Sequence, residues 1–405
     1  MLFIRYHSME NILPLQGTVQ YYDWGGTHFL TEMLQLQSEP GKTYAEYWMG
    51  AHPKSSSTIF VNQQSISLWK AINEEPLTYI GDTIKQKYGG LPFLFKILDV
   101  QRALSIQVHP SLSEAIEGFD REDNAGIPLD SPIRNYKDRN HKPEMMVALS
   151  DFWLLHGFCS PELIASRIEE IPEFSILKPL FNKGGLKAVF QFVMEMETID
   201  AFYWLQPLVK RAIRKMKAGE LHKLDPEWWV ARIFSNIDEP ETIDKAIFSI
   251  FILNIVQVST GSAIFQGAGM PHAYLEGQCV ELMSNSDNVL RAGLTSKHID
   301  VPELIKLTRF ETTIPNIQSG NPGLPCEINY PVPTEDFALT RLQIKSEFTY
   351  EHVSSSPEIL IVTAGGVIIN QQLVLKTGES VYVLPNTDYK ITSSGTATLF
   401  RAWIP

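Results

Sequence analysis

Apolar residues recur with a period of two over much of the first third of the chain. Residues 103–109 alternate strictly, so that Ser105, Gln107 and His109 share one face of a predicted strand. A compact apolar run at 92–98 precedes this segment. We therefore expect residues 15–152 to form short strands broken by turns.

A polar stretch rich in Asp, Asn, Gly and Pro interrupts this pattern between Pro110 and Lys142. Such composition is typical of a loop. We expect one short helix inside it, near residues 113–118.

From about residue 160 to residue 254, the spacing of the apolar residues lengthens to that of an amphipathic helix. Ser160 and Pro161 provide an N-cap and a first helical residue, and Ile164 and Ile168 follow at helical spacing. Five helical segments are predicted here, at 161–171, 186–197, 199–216, 226–233 and 242–254.

Alternation returns at residues 255–265 and again in the last part of the chain. A helix is expected from Val301, because Asp300 can cap it. Residues 321–325 resemble a linker, and the alternating runs 358–363, 380–385 and 397–402 follow it.

This order of elements predicts a mainly β protein with three domains. The first is discontinuous, over residues 1–152 and 255–320, and a helical insertion at 153–254 interrupts it. Residues 321–405 form a separate C-terminal β domain.

Composition describes an ordinary globular protein. The 405 residues are 44% hydrophobic and 20% charged, with a net charge of −12. That charge argues against nucleic acid or an anionic membrane as the main partner. No apolar run approaches the ~18 residues of a membrane span. Residues 1–8 are too short in their apolar part for a secretory signal, and Met9 is an alternative start.

The chain contains three cysteines, Cys159, Cys279 and Cys326, without a CxxC pair. That pattern argues against a disulfide framework and is typical of a reducing compartment. We expect a cytoplasmic protein. No long heptad pattern is evident, which favours a monomer.

Four residues are candidate ligands for a divalent metal: Gln107, His109, Glu144 and His272. A strand places Gln107 and His109 on one side, and Glu144 would partly balance the charge of a cation. Zinc accepts such ligands and leaves a position for substrate. The spacing by itself leaves open that these are ordinary polar residues.

Several motifs resemble the type I mannose-6-phosphate isomerases, also called phosphomannose isomerases. They occur in the family's order along the whole chain. These motifs are Tyr-Asp-Trp-Gly-Gly (22–26), Pro-Phe-Leu-Phe-Lys-Ile-Leu (92–98), Leu-Ser-Ile-Gln-Val-His-Pro (104–110), Asn-His-Lys-Pro-Glu (140–144), Pro-His-Ala-Tyr (271–274) and Ser-Asp-Asn-Val-Leu-Arg-Ala-Gly-Leu-Thr (286–295).

The resemblance implies a zinc-dependent aldose–ketose isomerase with one Zn²⁺ per chain. It would interconvert mannose 6-phosphate and fructose 6-phosphate through a cis-enediol, linking glycolysis to mannose metabolism. The family's zinc ligands carry over to Gln107, His109, Glu144 and His272. The implied fold is a cupin-type jelly roll with a helical insertion and a C-terminal cupin-like β domain.

The resemblance also makes Arg291 a catalytic residue, with a salt bridge to a neighbouring acid as the ordinary alternative. The base that moves the proton between C1 and C2 stays open among His141, Lys142, Glu281 and Asp287. We favour Lys142 or Glu281, because a lysine or glutamate in a buried site can have its pKa moved towards neutrality. Otherwise each would support a ligand or a sugar hydroxyl.

Phosphate needs cationic and hydroxyl donors, and the resemblance implies Lys96, Ser105 and Lys297. Lys96 and Ser105 lie on strands that we expect to be adjacent. His156 has no partner that the sequence identifies. The terminal domain, with His352 as its one histidine, is expected to hold no metal.

Two other functions remain open from sequence. One is another metal-dependent cupin enzyme, such as an iron oxygenase, although Gln107 and the frame of Arg291 fit that less well. The other is a sugar-phosphate-binding cupin without catalysis, since the fold hosts many functions.

Overall fold

A computed structural model describes residues 10–62, 64–235, 237 and 240–405. The predicted N-terminal extension, residues 1–8, and the alternative start at Met9 lie outside the described residues.

Strands dominate both the first and the last parts of the chain. They are β1 (Ile12–Gln16), β2 (Thr18–Gln20), β3 (Glu46–Gly50), β4 (Thr58–Val61), β5 (Gln64–Ser67), β6 (Phe93–Val100), β7 (Gln107–Val108), β8 (Glu144–Ala148), β9 (Phe152–Phe158), β10 (Leu253–Val258), β11 (Ala263–Gln266), β12 (His272–Ser284), β13 (Leu290–Arg291), β14 (Asn321–Pro322), β15 (Glu327–Tyr330), β16 (Ala338–Ile344), β17 (Tyr350–Val353), β18 (Glu358–Ala364), β19 (Gly366–Ile369), β20 (Leu373–Lys376), β21 (Ser380–Val383), β22 (Asp388–Thr392) and β23 (Ala397–Trp403).

Helices fill the middle of the chain and four shorter stretches outside it. They are α1 (Phe29–Met33), α2 (Leu68–Glu74), α3 (Pro76–Tyr79), α4 (Gly81–Tyr88), α5 (Leu112–Asn124), α6 (Pro161–Glu170), α7 (Lys178–Glu195), α8 (Thr198–Lys217), α9 (Pro226–Ile233), α10 (Ile247–Ile252) and α11 (Val301–Leu307). A 3₁₀ turn at Pro172–Leu177 joins α6 to α7.

Strand β12 organises the ten-stranded sheet that carries the candidate ligands. Its first residues pair with β7 and β9, and its later residues pair with β6 and β8. Strands β10, β3 and β2 extend this sheet, while β11 and β13 pair with β8 and β7. The curved arrangement brings residues from β7, β8 and β12 to one interior.

A nine-stranded sheet packs against the outer face of that arrangement. Its order is β14-β15-β16-β23-β18-β21-β1-β4-β5. One apolar cluster joins Phe95 and Val280 of the first sheet to Tyr382 and Phe400 of the second. A four-stranded sheet, β17-β22-β19-β20, completes the C-terminal β region.

The nine-stranded sheet includes strands from both ends of the chain. Strand β1 pairs with β21, and Leu15 lies opposite Ser380. The domain boundaries expected at residues 152, 254 and 320 stay a prediction.

The helical middle of the chain agrees with the sequence pattern. Helices α6, α8 and α9 match their predicted segments to within a residue or so, and the Ser160 hydroxyl accepts the Leu163 N–H as an N-cap. Asp300 caps α11 in the same way. Their apolar faces share one cluster with Val108 and Leu155, so the helical unit packs behind strands β7 and β9.

Some local predictions were wrong. Residues 68–88 hold helices α2 to α4 instead of strands and turns, and Ser67 caps α2. The predicted strand 103–109 pairs as a ladder at only two residues, Gln107 and Val108, where β7 lies between β12 and β13. Helix 242–254 shortens to α10, since its C-terminal end joins strand β10.

The predicted linker at 321–325 starts as strand β14, which pairs with β15. The short helix expected near residues 113–118 is confirmed and extends to Asn124. No helix in the described part of the chain is both long and apolar enough to cross a membrane.

Helix α5 leads to the site segment through a close contact between Gly118 and the buried ring of Tyr136. A Cβ on Gly118 would lie 2.3 Å from Tyr136 Cε2. The Tyr136 hydroxyl donates to Glu303 at 2.6 Å, which fixes the far end of the ring.

We predict that Gly118→Ala destabilises the protein by about 1–3 kcal/mol, because the new methyl group overpacks against the ring. An ordinary helical Gly→Ala change has the opposite sign. Urea unfolding monitored by fluorescence measures the difference.

Glu117→Ala on the exposed face of the same helix is the matched control, and we expect it to change stability by less than about 0.5 kcal/mol. A Gly118→Ala protein as stable as the wild type would contradict the close contact.

Candidate metal centre and active site

Three buried side chains from separate strands converge inside the ten-stranded sheet. Glu144 begins β8, His272 begins β12, and His109 directly follows β7. His109 Nε2 lies 3.4 Å from Glu144 Oε1, and His272 Nε2 lies 3.3 Å from Glu144 Oε2. One ligand atom from each residue falls within 4.8 Å of the others.

Backbone carbonyls determine the tautomer of both imidazoles. His109 Nδ1 is 2.9 Å from the Asn288 carbonyl oxygen, and His272 Nδ1 is 3.0 Å from that of Met270. A carbonyl can only accept, so each Nδ1 carries the proton. Each Nε2 therefore presents a lone pair towards Glu144.

Two lone pairs and a carboxylate facing one another repel unless a cation lies between them. Burial lowers the pKa of His109 to about 4, which keeps its ring neutral. Burial acts to raise the pKa of Glu144, but His109 and Lys142 outweigh it and hold the carboxyl well below its ordinary value. His109 Nε2 has no hydrogen-bond partner in the described residues.

These residues fit a divalent metal. Neutral imidazoles and an ionised carboxylate are the protonation states that a metal requires. Imidazoles held through Nδ1–H to a carbonyl are typical of metal-binding histidines. The set matches zinc ligands in kind.

Gln107 lies next to this group through the strand register. It is directly opposite His272 in the β7–β12 pair and opposite Arg291 in the β7–β13 pair. Its Nε2 lies 3.5 Å from Ser105 Oγ, at the limit of a hydrogen bond. Ligation of a metal by Gln107 stays a prediction.

Lys142 is the cation closest to the ligand carboxylate. Its Nζ lies 3.5 Å from Glu144 Oε1, and its side chain is 11% exposed. His141, its neighbour, instead bonds Asp336 at 2.8 Å. Lys142 therefore lies beside the metal centre, and its side chain is not completely buried.

Glu281 and Lys96 form a buried ion pair deeper in the same interior. Lys96 Nζ lies 3.2 Å from Glu281 Oε2 and 3.6 Å from Glu46 Oε2. The Tyr274 hydroxyl donates to the other Glu281 oxygen at 3.4 Å. Burial raises the pKa of the Glu281 carboxyl, and Lys96 opposes that rise. Burial acts to lower the pKa of Lys96, yet Glu281 and Glu46 outweigh it and raise it.

The expected adjacency of the Lys96 and Ser105 strands was wrong. Lys96 lies on β6, and Ser105 precedes β7; both β6 and β7 pair with β12 instead of with each other. The two acid partners of Lys96 weaken the case for it as a phosphate contact, which stays a prediction.

Asp287 lies in an ion-pair group at the rim. Its carboxylate is 2.7 Å from Lys54 Nζ and 3.4 Å from His52 Nε2. Burial acts to raise the pKa of Asp287, but hydrogen bonds from His52 and Lys54 hold it below its usual range. Its predicted catalytic role stays a prediction, and these bonds favour a role in holding the rim.

Arg291 is a half-buried cation that no acid balances in the described part of the chain. The salt bridge considered as its ordinary role is therefore not formed among those residues. Burial lowers the pKa of Arg291. Burial, and then the positive charge of Arg291, lower the pKa of the exposed Lys297. Arg291, on the strand next to Gln107, suits an anionic ligand.

Asn288 is a site residue that the sequence did not single out. It is fully buried, and its side chain bonds the backbone of Lys137, Asp138 and Asn140. Its own carbonyl holds His109. One residue thus ties the segment leading to Lys142 and Glu144 to the His109 ring. Its place in the 286–295 motif was the one signal available.

Comparison with known proteins gives this geometry a family. Residues 12–160 match the family described as phosphomannose isomerase type I, catalytic domain. The mannose-6-phosphate isomerase of Salmonella typhimurium is 36% identical over 96% of this chain and 98% of its own length. The chain belongs to the type I phosphomannose isomerase family.

Other members of the phosphomannose isomerase family agree in sequence and in fold. The human mannose-6-phosphate isomerase is 31% identical over 98% of this chain and 99% of its own. A Salmonella typhimurium structure with zinc and fructose 6-phosphate bound has a TM-score of 0.86 at 34% identity, covering 97% of this chain and 99% of that one. The expected fold class, a cupin-type β fold with a helical insertion, is confirmed.

We predict that Asn288→Ala destabilises the protein by about 3 kcal/mol or more, because several buried backbone groups lose their partner. The backbone amide hydrogens of residues 137–140 should also exchange faster with solvent, through local opening that does not require global unfolding. Hydrogen exchange with mass spectrometry, together with urea unfolding, measures both effects.

Asn124→Ala, at an exposed position of helix α5, is the control and should leave amide hydrogen exchange at residues 137–140 unchanged. Equal amide hydrogen exchange at residues 137–140 in the Asn288→Ala protein and the wild type would rule out the connection between Asn288 and this segment.

Proposed function

We propose that this chain is a zinc-dependent isomerase that interconverts mannose 6-phosphate and fructose 6-phosphate through a cis-enediol. The observation that carries the proposal is the convergence of His109 Nε2, His272 Nε2 and the Glu144 carboxylate. Arg291, which has no acidic partner among the described residues, lies two strands across from His272. Family membership supplies the substrate, because the relatives are named mannose-6-phosphate isomerases.

Three or four residues would hold the metal: His109, Glu144 and His272, with Gln107 as the proposed fourth. A bound divalent ion supplies positive charge that polarises or orients sugar oxygens. The remaining chemistry belongs to residues of the chain.

Lys142 is our proposed proton-transfer residue. Isomerisation moves a proton between C1 and C2, so the base must reach those carbons. Lys142 contacts Glu144 and its tip is partly open. Both Glu281 oxygens already have partners in Lys96 and Tyr274, and the residue is 3% exposed. These contacts favour Lys142 over Glu281.

Arg291 and Lys297 are our proposed anion contacts. Arg291 lies in the ladder beside Gln107, so its guanidinium suits the enediolate oxygens or the near side of the phosphate. Lys297 is exposed and farther along the chain from β13, which suits the phosphate. Ser105, beside Gln107, adds a hydroxyl donor.

The buried group of Lys96, Glu281 and Glu46 would support the site without meeting the reacting carbons. Trp48 Nε1 also donates a hydrogen bond to Glu46, so the Glu46 carboxylate has partners in both Lys96 and Trp48. Removing one member of a buried ion pair strands the other charge and is costly. Substitutions here should act through the shape and charge of the interior.

Oligomeric state and location complete the proposal: a monomer that acts in the cytoplasm. Cys159, Cys279 and Cys326 are all free, and the first two are buried. Free, scattered cysteines are typical of a reducing compartment.

We predict that the purified protein converts mannose 6-phosphate to fructose 6-phosphate and loses this activity when its metal is chelated. Activity should return when Zn²⁺ is added back, because the three convergent ligands need a cation. A coupled assay for fructose 6-phosphate, with metal content measured in each sample, provides the test.

A folded, zinc-loaded protein without turnover would contradict the isomerase and favour a sugar-phosphate-binding role. Turnover that survives verified removal of the metal would contradict the metal-dependent mechanism while leaving the reaction in place.

We predict that Lys142→Met lowers kcat by about 10²- to 10⁴-fold, the usual contribution of a general acid or base. Exchange of the C2 hydrogen of deuterated substrate with solvent should fall in parallel. Glu281→Gln should lower kcat less, because it does not meet the reacting carbons. Steady-state kinetics and deuterium loss by NMR measure both.

Exposed Lys376→Met is the matched control, and zinc content is checked in every variant. A Lys142→Met enzyme that still exchanges deuterium, beside a Glu281→Gln enzyme that does not, would assign the base to Glu281.

A further inference from the structure

Gln266 is a buried amide with one half of its hydrogen-bonding capacity unused. The residue is 0% exposed, and its Oε1 lies 2.9 Å from His156 Nδ1. Its Nε2 has no hydrogen-bond partner within the described residues. Leaving such a donor unpaired in a protein interior is unfavourable, so native structures give it an acceptor.

Strand register places this amide against the metal centre. Gln266 lies directly opposite Glu144 in the β11–β8 pair, and His156 lies directly opposite His272 in the β9–β12 pair. Opposed residues of antiparallel strands share a face, with Cβ atoms about 4.5–5.5 Å apart. The Gln266–His156 pair therefore joins β11 and β9, the strands next to those that carry Glu144 and His272.

The orientation of the amide follows from its two neighbours. Accepting through Oε1 puts the proton of His156 on Nδ1 and turns the Gln266 NH₂ group away from His156. In this structure Nε2 forms no hydrogen bond with Glu144, but Glu144 is the residue directly opposite Gln266 and its carboxylate can only accept. That carboxylate is the cross-strand acceptor that suits the unused N–H.

We propose that Gln266 is a positioning residue for the metal centre: its Nε2–H group orients the Glu144 carboxylate, and His156 orients Gln266. This inference rests on the metal site of the proposed function. Carboxylates that bind metals are themselves held by hydrogen bonds, and loss of such a partner typically weakens metal affinity or activity about 10- to 100-fold.

The test measures zinc affinity by competition with a chelator, starting from metal-free protein. Gln266→Met keeps the length of the side chain and removes its polar end. We expect its dissociation constant for Zn²⁺ to rise about 10- to 100-fold, as for other partners of ligating carboxylates. Gln257→Met, an exposed glutamine on β10, is the matched control and should bind zinc as the wild type does.

A second variant separates this role from a purely structural one. The double variant His156→Phe/Gln266→Met removes both members of the His156–Gln266 hydrogen bond, so neither is left without the other. We expect metal-free double variant and wild type to melt alike, while the double variant binds zinc as weakly as Gln266→Met. The effects of His156→Phe and Gln266→Met should therefore be non-additive.

Zinc affinity of Gln266→Met and of the double variant within twofold of the wild type would overturn the inference. So would a raised KM with unchanged zinc affinity, because Gln266 would then contact substrate instead of Glu144. A wild-type protein that fails to bind zinc at all would contradict the proposed function itself.

Discussion

The site depends on one electrostatic constraint: two imidazole lone pairs and a carboxylate are held facing one another in a buried space. Backbone carbonyls of Asn288 and Met270 accept from Nδ1–H of the two rings, so the neutral rings present their other nitrogens to Glu144. The fold must supply rigidity to hold this arrangement, because each group would otherwise turn away.

Strand β12 provides that rigidity. It pairs with four other strands, and it carries both a metal-ligand candidate at its start and Glu281 nine positions later. A register shift between Tyr274 and Glu276 lies within its pairing with β9, just before its pairing with β6 begins at Gly277. A bulge of this kind bends a strand and re-aims its side chains, which lets one strand pair with different neighbours along its length.

Much of the fold could be predicted from sequence, because it depends on local spacing, and the candidate ligands His109, Glu144 and His272 came from motifs shared with a known family. Helix caps such as Ser160 and the Gln-x-His frame at 107–109 are short-range signals. Asn288 and Gln266 were missed because their roles depend on partners far along the chain. Asn288 holds a ring 179 positions away, and Gln266 meets one 110 positions away. Helices α2 to α4 were missed although the Ser67 cap was visible.

Strand β1 completes its sheet only with residues from the far end of the chain. The Ser380 hydroxyl donates to the Leu15 carbonyl across 365 positions. Contacts of such sequence separation slow folding, because a long loop must close before they form. During synthesis, the edge of β1 that pairs with β21 has no partner until nearly all of the chain has left the ribosome. An unpaired strand edge is prone to association with other chains, so the early part of this protein must be protected while it is made.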